Sequence, residues 1–453
     1  MGNKTAGDAT ESTLMRHGQL PRSNSLRNGM RILLTAVLVV VLSGVATVSY
    51  ALLGLVSDIR TVDLGGNSAD AVGSDAHSID GELTVLLVGS DTREGQKYQD
   101  DVEGELNDVN LMLHVSADHK NATVVSFPRD LMVPFPSCPG PNGEEDYYSA
   151  MSEQQINSAL TNGGLPCVAR TIEELTGMQI PYASLITFDG VIGVSNAIGG
   201  VEVCLNEPIV DENTELDLPA GEVTLKGNEA LQFLRTRHGV GDGGDKSRIS
   251  NQQVFMSALV RQLKSRDTLG DPVKVYALAK AGVENMTLSS SMASVEFMQA
   301  VAGTVKDIDL DRINFVQYPT LEHPYEQYRL TPDYESAAVL FDVLKSGEPF
   351  EVTAVGEGVA AEGEEPVETD PETGEPVTPS EDPTATDPAT ATDPAIDPET
   401  GEPVTDPTVD PETGEPVETT EPEPTKSGPT KLPPSVTGQS ASKQTCSQGR
   451  TVL

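Results

Sequence analysis

Between Ile32 and Val56 the chain runs for 25 residues, ILLTAVLVVVLSGVATVSYALLGLV, without a charged side chain. At about 1.5 Å per residue a helix of that length exceeds the roughly 30 Å hydrocarbon core of a bilayer. A core helix this long would normally show a polar face, and the apolar region of a cleaved leader is shorter, about 7–15 residues. The expectation is one transmembrane helix over 32–56. Lys4, Arg16, Arg22, Arg27 and Arg31 precede it, and Asp58 is the first charge beyond it. By the positive-inside rule residues 1–31 are cytoplasmic and everything past residue 57 is outside, giving a single-pass cell-membrane protein.

The other end of the chain is excluded from a core by composition. From about residue 349 the sequence is Pro, Thr, Glu and Asp with few large apolar residues, and DPETGEPV starts at Asp370, Asp397 and Asp410. Residues 351–453 hold 23 acidic against 4 basic side chains, so nearly half of the net charge of −41 lies there. Without apolar surface to offset chain entropy, 349–453 reads as a disordered acidic tail. What remains is a linker, 57–79, and one folded domain, 80–348. No nucleic-acid partner is expected. An oxidising exterior permits a disulfide, assigned to Cys138 and Cys167. Cys204, after the strand-like GVEV, reads as a buried free thiol, and Cys446 in the tail as unpaired.

Within the domain, LTVLLVGSDTR reads as a buried strand ending in polar groups. VNLMLHVS and ATVVSFPRD read as a hairpin turning at Asp118–Asn121. SEQQINSALTNGG carries a helix-start signal at Ser152 and Gln155, VARTIEELTG is a helix stopping at Gly177, and DGVIGVSNAIGG another. Residues 248–264 place Ile249, Val254, Phe255, Leu259, Val260 and Leu263 on one helical stripe. Helices over 271–282, 291–305 and 333–345 and the strand RINFVQYP complete the pattern. Strands and helices alternate without strict βαβ order, so the fold class is α/β, a sandwich around a mixed sheet.

Polar groups gather at the ends of these elements. Asp91 and Arg93 follow the first strand, Asp108 opens the next, and Arg129 with Asp130 follows the hairpin. LRTRHGVGDGGDKSRISNQQ then adds Arg235, Arg237, Lys246 and Arg248. Loop carboxylates suit a hard divalent cation, and planar guanidiniums suit phosphate. Blander readings stand beside these: strand-end Asp as turn former, Arg129–Asp130 as surface ion pair, Arg235 and Arg237 as complements to a helix dipole. Asp245 separates Gly244 from Lys246 and the loop follows a helix, so it is not a nucleotide P-loop. No zinc, serine-hydrolase or kinase pattern is present. Composition and spacing reach an extracytoplasmic α/β domain with an anion-binding cleft and leave open whether it also takes magnesium.

LLVGSDTR, NDVNLMLHVS, VVSFPRD and LRTRH…GDGGDKSRISNQQ, in this order, resemble the four motifs of the LytR-CpsA-Psr family of cell-wall glycopolymer ligases, in its actinobacterial style. INSALTNGG, ELTG and NAIGGVEVCL extend the resemblance over nearly all of 80–348. The resemblance implies an α/β/α sandwich that holds a polyprenyl chain between sheet and helices. It implies transfer of a glycopolymer phosphate, such as a teichoic acid, from a polyprenyl-diphosphate-linked donor to a peptidoglycan sugar hydroxyl. Carried over by motif, Asp91 and Asp108 are the Mg2+ positions. Arg93, Arg129, Arg235, Arg237 and Arg248 are the catalytic, diphosphate-binding positions, joined by Gln252 in substrate binding. Asp130 and Asp245 are supporting positions; the general base is unassigned, with Asp91 a candidate only where metal does not engage it fully. Two positions depart: Asn107 and Asn251 stand where many relatives carry a cation, which predicts either weaker donor binding or a change in the glycan phosphate accepted. The alternatives are a polyprenyl-phosphate-binding envelope regulator or scaffold, and a pyrophosphatase acting on the lipid-linked donor.

Overall fold

The strands that organise the molecule, in chain order, are β1 (Arg60–Val62), β2 (Leu83–Ser90), β3 (Asn107–Val115) and β4 (Ala122–Phe127). They continue with β5 (Tyr182–Ile186), β6 (Val201–Leu205), β7 (Gly221–Leu225) and β8 (Met286–Ser289). The last four are β9 (Ile313–Gln317), β10 (Val359–Ala361), β11 (Gly438–Ser440) and β12 (Thr445–Ser447). The helices are α1 (Ala159–Thr176), α2 (Phe188–Ile198), α3 (Asn228–Arg235), α4 (Asp245–Lys264), α5 (Pro272–Asn285), α6 (Val295–Val305) and α7 (Tyr334–Ser346). The structure, a computed structural model, describes residues 30, 35, 59–65, 78–91, 105–140, 144–265, 268, 271–361 and 429–450. The expected membrane helix over 32–56 and the DPETGEPV repeats lie outside the described residues. Among the described residues no helix is long and apolar enough to cross a membrane.

The main sheet has eight strands in the order β1-β8-β5-β2-β3-β4-β9-β11. It is mixed: β2 pairs β5 and β4 pairs β9 in parallel, whereas β2–β3 and β3–β4 are antiparallel. The period-2 alternation of a strand sorts its side chains between two layers. Leu86 and Val88 of β2, Met112 of β3, and Val125 and Phe127 of β4 join a core with Val168 and Ile172 of α1 and Leu340 and Phe341 of α7. Leu83, Leu111, Val115 and Val124 face the other way, towards Phe297 and Ala300 of α6 and Met256 and Val260 of α4. Both faces of the sheet are therefore covered by helices, the α/β/α sandwich expected of the chain. A second sheet, β7-β6-β12-β10, packs its apolar residues on Phe233 of α3 and on Val254 and Phe255 of α4.

The expected helix stops hold. α1 and α2 end on Gly177 and Gly199, whose φ angles of 63° and 91° are left-handed, where a side chain is costly. The helix start at Ser152 does not. Met151–Gln155 is a strand paired with Met132–Phe135, and α1 begins only at Ala159. Tertiary pairing of the extended segment outweighs a local capping signal worth about 1 kcal/mol. The Cys138–Cys167 disulfide is present, and Gly163 makes room for it, since a Cβ there would lie 2.8 Å from Cys167 Cβ.

Two readings of the C-terminal region are corrected. Cys204 is not a free thiol and Cys446 is not unpaired: they are bonded to each other. Nor is all of 349–453 without structure, because 349–361 and 429–450 belong to the folded domain. Phe350–Glu351 pairs in parallel with Thr430–Lys431, β11 adds to the main sheet beside β9, and β12 lies between β6 and β10. The composition of 429–450 hides this because its few anchors are small or isolated. Leu432, Val436 and Ala441 are buried, and Gln439 Nε2 donates to Ser257 Oγ on α4 at 3.1 Å.

Cys204 and Cys446 are 242 residues apart in sequence. In the chain-entropy model a loop this long contributes about 5 kcal/mol, at the upper end of what disulfides deliver. Replacing Cys446 by Ser should lower the calorimetric Tm of the oxidised protein by about 5–15 °C. A Tm within a degree of the parent would show that the strands alone hold the C-terminal segment.

Candidate active site

The ends of β3 and β4, the loop after α3 and the first two turns of α4 converge on one cluster. Asp245, Arg248 and Gln252 are spaced i, i+3 and i+7, which puts them on one face of α4. The glycines before them serve the turn. Asp242 Oδ1 accepts from Gly244 N at 2.7 Å and from Ser247 Oγ at 2.6 Å, and a Cβ on Gly241 would collide with Ser247. The returning C-terminal segment braces this loop from outside, Arg450 N donating to Gly239 O at 2.9 Å and Gly241 N to Gln448 O at 3.3 Å.

Asp245 joins the pieces. Its Oδ2 accepts the backbone N–H of Arg129 at 3.0 Å, and its Oδ1 lies 2.7 Å from Arg248 Nη2. Arg129 Nη1 donates to Asp108 Oδ1 at 2.9 Å, and Arg248 Nη2 donates to the Asp108 carbonyl, also at 2.9 Å. Asp130 stands on the other side. Its Oδ2 is 3.8 Å from Arg129 Nε and 4.0 Å from Arg237 Nη2, while its Oδ1 accepts from Gln155 Nε2 at 2.6 Å and Arg329 Nη1 at 3.2 Å. Arg235 lies over the Phe188 ring, 4.5 Å from its centroid, and Gln252 Nε2 donates to Leu234 O at 2.9 Å. Asp91 is buried at the end of β2, its Oδ1 accepting from Leu106 N at 2.8 Å, next to the Asp108 strand end. Arg93 lies outside the described residues.

Three buried guanidinium nitrogens, Nε of Arg129, Arg237 and Arg248, have no hydrogen-bond partner. An unmet buried donor costs about 1–3 kcal/mol, more when charged, so three together call for an anion. The charges agree. Burial disfavours the Arg237 guanidinium, and Arg129 beside it adds repulsion, so its pKa falls despite Asp245 and Asp130. Asp108 is penalised by burial, but Arg129 and Arg248 outweigh that and hold it below the usual carboxylate range. Asp130 is pushed up, first by burial and then by Asp245, against the pull of Arg129, Arg237 and Arg329.

Beside the cluster the sandwich is not filled. A cavity of about 480 Å³ is bounded by Asp108, Arg129, Arg235, Arg237, Arg248 and Gln252 at one end and by Leu87, Leu111, Phe255, Met256 and Leu259 along its walls. A second, of about 850 Å³, lies between the sheet and helices α4 and α6 and shares Leu87, Leu111 and Met256 with the first. Protein interiors rarely leave voids much larger than a water, so apolar space on this scale is a ligand slot. Its shape suits an amphiphile with an anionic head.

The two positions that lack a cation have structural work. Asn107 is fully buried, donating to Asn110 Oδ1 at 2.8 Å and Ile156 O at 3.0 Å and accepting from Leu160 N at 3.0 Å. Asn251 donates to Phe233 O at 2.8 Å and accepts from Ser447 Oγ at 2.7 Å, locking α4 to α3 and to β12. Neither side chain is turned to the cavity. Sequence reasoning missed Arg329 and Gln155, which reach Asp130 from segments without a motif. It also missed Asp211, whose Oδ2 accepts from Thr236 Oγ1 at 2.6 Å and Arg237 N at 3.2 Å and so sets the Arg237 backbone.

An α/β/α domain with one buried and three half-buried arginines lining one end of an apolar slot defines the class. The LytR_cpsA_psr family model matches residues 58–342, well over half of the chain, and the chain belongs to that family. The cell wall biosynthesis protein LcpA of Corynebacterium glutamicum is 27% identical over 345 residues, covering 68% of this chain and 62% of LcpA. The polyisoprenyl-teichoic acid–peptidoglycan teichoic acid transferase TagT of Bacillus subtilis is 27% identical over 233 residues, 48% of this chain and 67% of TagT. Among solved structures, the LytR-Csp2A-Psr enzyme from Actinomyces oris aligns with a TM-score of 0.47 at 20% identity, covering 63% of this chain and 96% of that one.

The opposed shifts of the two carboxylates give opposite mutational signs. Asp108, with its lowered folded pKa, contributes stability present above its unfolded pKa and lost as pH falls through the folded value. Asp108→Asn should lower Tm at neutral pH, and the deficit should close below the ordinary carboxylate value of 3.8. Asp130 is the reverse: its carboxylate is penalised above its raised pKa, so Asp130→Asn should raise Tm at neutral pH. That gain should shrink as pH falls towards 3.8. Thermal melts of the three proteins across pH check both signs.

Proposed function

We propose that this chain is a membrane-anchored phosphotransferase of the cell envelope. It moves a glycopolymer phosphate from a polyprenyl-diphosphate-linked donor to a peptidoglycan sugar hydroxyl. The observation that carries this reading is the trio of guanidiniums, Arg129, Arg237 and Arg248, that line one end of the apolar slot, each with an Nε that makes no hydrogen bond. A diphosphate supplies acceptor oxygens for Arg129, Arg237 and Arg248, and a polyprenyl chain fills the slot towards α6, its burial adding about 0.8 kcal/mol per CH2. The names of TagT and LcpA, a teichoic acid transferase and a cell wall biosynthesis protein, agree with this substrate pair. The uncharged run 32–56 is the proposed anchor and places the domain outside the membrane.

In the proposed reaction the sugar hydroxyl attacks the phosphorus that carries the glycopolymer. A phosphodiester forms, the P–O bond to the bridging oxygen breaks, and polyprenyl phosphate leaves. Catalysis rests on position and charge: the guanidiniums stabilise the added negative charge of the transition state and the leaving phosphate. Asp130 is the proposed acceptor of the hydroxyl proton, which leaves Asp91 to the metal position its motif gives it. The Asp130 Oδ2 lies 3.8 Å from Arg129 Nε and 4.0 Å from Arg237 Nη2, beside the cation cluster, and its raised pKa suits proton transfer.

Asp91 and Asp108, on adjoining strand ends, fit the one or two carboxylates that magnesium takes alongside phosphate oxygens. Their Oδ1 atoms are held by Leu106 N–H and Arg129, which fixes the orientation of both groups. Among the described residues no group of three or more His, Cys, Asp or Glu forms a site by itself, so substrate oxygens would complete the shell. A bound Mg2+ would neutralise diphosphate charge.

Incubating the full chain in detergent with a lipid-linked donor and peptidoglycan, with and without magnesium, should attach glycan to the wall and release polyprenyl phosphate. Polyprenyl phosphate without attached glycan would instead indicate a pyrophosphatase, and lipid binding without either product a regulator or scaffold. Arg237→Ala and Arg248→Ala should each reduce transfer about 100-fold or more, with the fold retained. Met256 lines both cavities, so Met256→Trp should block the passage between them. Donors with long prenyl chains should then lose binding while short-chain analogues keep it, measured as KM against chain length. Equal loss for both lengths would remove the slot from the account.

A further inference from the structure

Arg329 reaches Asp130 from a hairpin formed by Thr320–Glu322 and Leu330–Pro332. The loop between the two strands is braced from within. His323 N donates to Arg329 O at 2.9 Å, Arg329 N to Glu326 O at 3.3 Å, and His323 Nδ1 accepts from Glu326 N at 2.9 Å and Tyr325 N at 3.3 Å. The far ring nitrogen of His323 lies 3.4 Å from Glu153 Oε1, and the backbone N–H of Leu330 donates to Asp130 O at 3.1 Å. So ordered a loop would ordinarily turn its aromatic residues inward. This one turns them out: Tyr325 is 91% and Tyr328 85% exposed.

The cost of that display shows in the backbone. Tyr328 has a φ of 63°, a left-handed conformation that disfavours an aromatic residue by about 1 kcal/mol or more, and it is not glycine. The whole chain has no Trp, and only 4% of its residues are aromatic, so two exposed rings three residues apart are a marked use of a scarce residue type. Glu322, Glu326 and Gln327 are exposed beside them. Apolar ring faces edged by carboxylate and amide groups match the chemistry of a saccharide, whose C–H faces stack on rings and whose hydroxyls donate to carboxylates. The same carboxylates disfavour an anionic membrane surface.

We propose that the hairpin loop 323–329 is an acceptor-docking platform. It holds a saccharide chain on Tyr325 and Tyr328 and, through Arg329 and Asp130, stands beside the cation cluster. The platform gives the proposed transfer reaction its acceptor side and rests on that reading for its role, though not for its ligand. The donor head and prenyl chain occupy the cavity, which Tyr325 and Tyr328 do not line. Acceptor and donor binding are therefore separable by mutation.

The test uses the full chain in detergent micelles and peptide-free glycan strands prepared from peptidoglycan. The affinity for the strands is measured without donor, and transfer kinetics separately. The Tyr325→Ala/Tyr328→Ala pair should bind the strands about tenfold more weakly and raise the acceptor KM by a similar factor, with the KM for lipid-linked donor unchanged. The Tyr325→Phe/Tyr328→Phe pair should restore both, because stacking uses the ring face and not the hydroxyl. Unchanged strand affinity in the alanine pair overturns the platform even if the parent transfers glycan normally. So does a phenylalanine pair that fails like the alanine pair, or an alanine pair that keeps the strands but loses binding to phosphatidylglycerol vesicles. If the strands bind through the tyrosines but the parent transfers nothing, the platform stands and the transferase reading falls.

Discussion

Arg248 is almost wholly buried, and the molecule is arranged around the need to keep its charge company. A lone guanidinium in such a place would cost several kcal/mol. Asp245, one turn earlier on α4, answers it, and the same carboxylate takes the backbone N–H of Arg129 at the end of β4. Arg129 in turn holds Asp108 on β3. Through this chain of charges one helix and two strands of the main sheet are fixed relative to one another. The network is not closed on itself: the guanidinium Nε atoms are left without hydrogen bonds, and their residues line one end of the slot. A site that is self-sufficient in charge but short of acceptors is stable alone and still selective for a ligand rich in oxygens.

The slot follows from how the sheet is covered. On one face α1 and α7 pack directly on Leu86, Met112 and Val125, and the side chains are buried completely. On the other, Val85, Leu87, Val109 and Leu113 remain only partly buried, because α4 and α6 stand off from them. The helices are held at that distance by other partners. α4 is pinned to the second sheet through Val254 and Phe255, and by Asn251 to α3 and β12. The apolar space is thus a product of where α4 is anchored.

Much of this was legible in the sequence, and the boundary between what was and was not is physical. Alternating apolar residues identified β2, β3 and β4, glycines marked the ends of α1 and α2, and four of the motif arginines, Arg129, Arg235, Arg237 and Arg248, line one cavity. Patterns of that kind are local, written within a few residues of each other. What escaped depends on partners far away in the chain. Ser152–Gln155 looks like a helix start until Met132–Phe135 offers it a strand, and Arg329 has no signal until the hairpin folds back onto Asp130. Asn107 and Asn251 looked like missing cations, yet each is a buried amide whose hydrogen bonds tie separate elements together. Cys446 was misread because a segment of low hydrophobicity can still be a strand when two sheets and a disulfide receive it.

That returning segment alters what the acidic repeats are. Residues 362–428 leave the domain after β10 and rejoin it before Thr430, with Cys446 bonded to Cys204 further on. Both ends of that stretch are therefore continuous with the folded domain, and a protease that cuts once within 362–428 leaves two polypeptides still joined through Cys204 and Cys446.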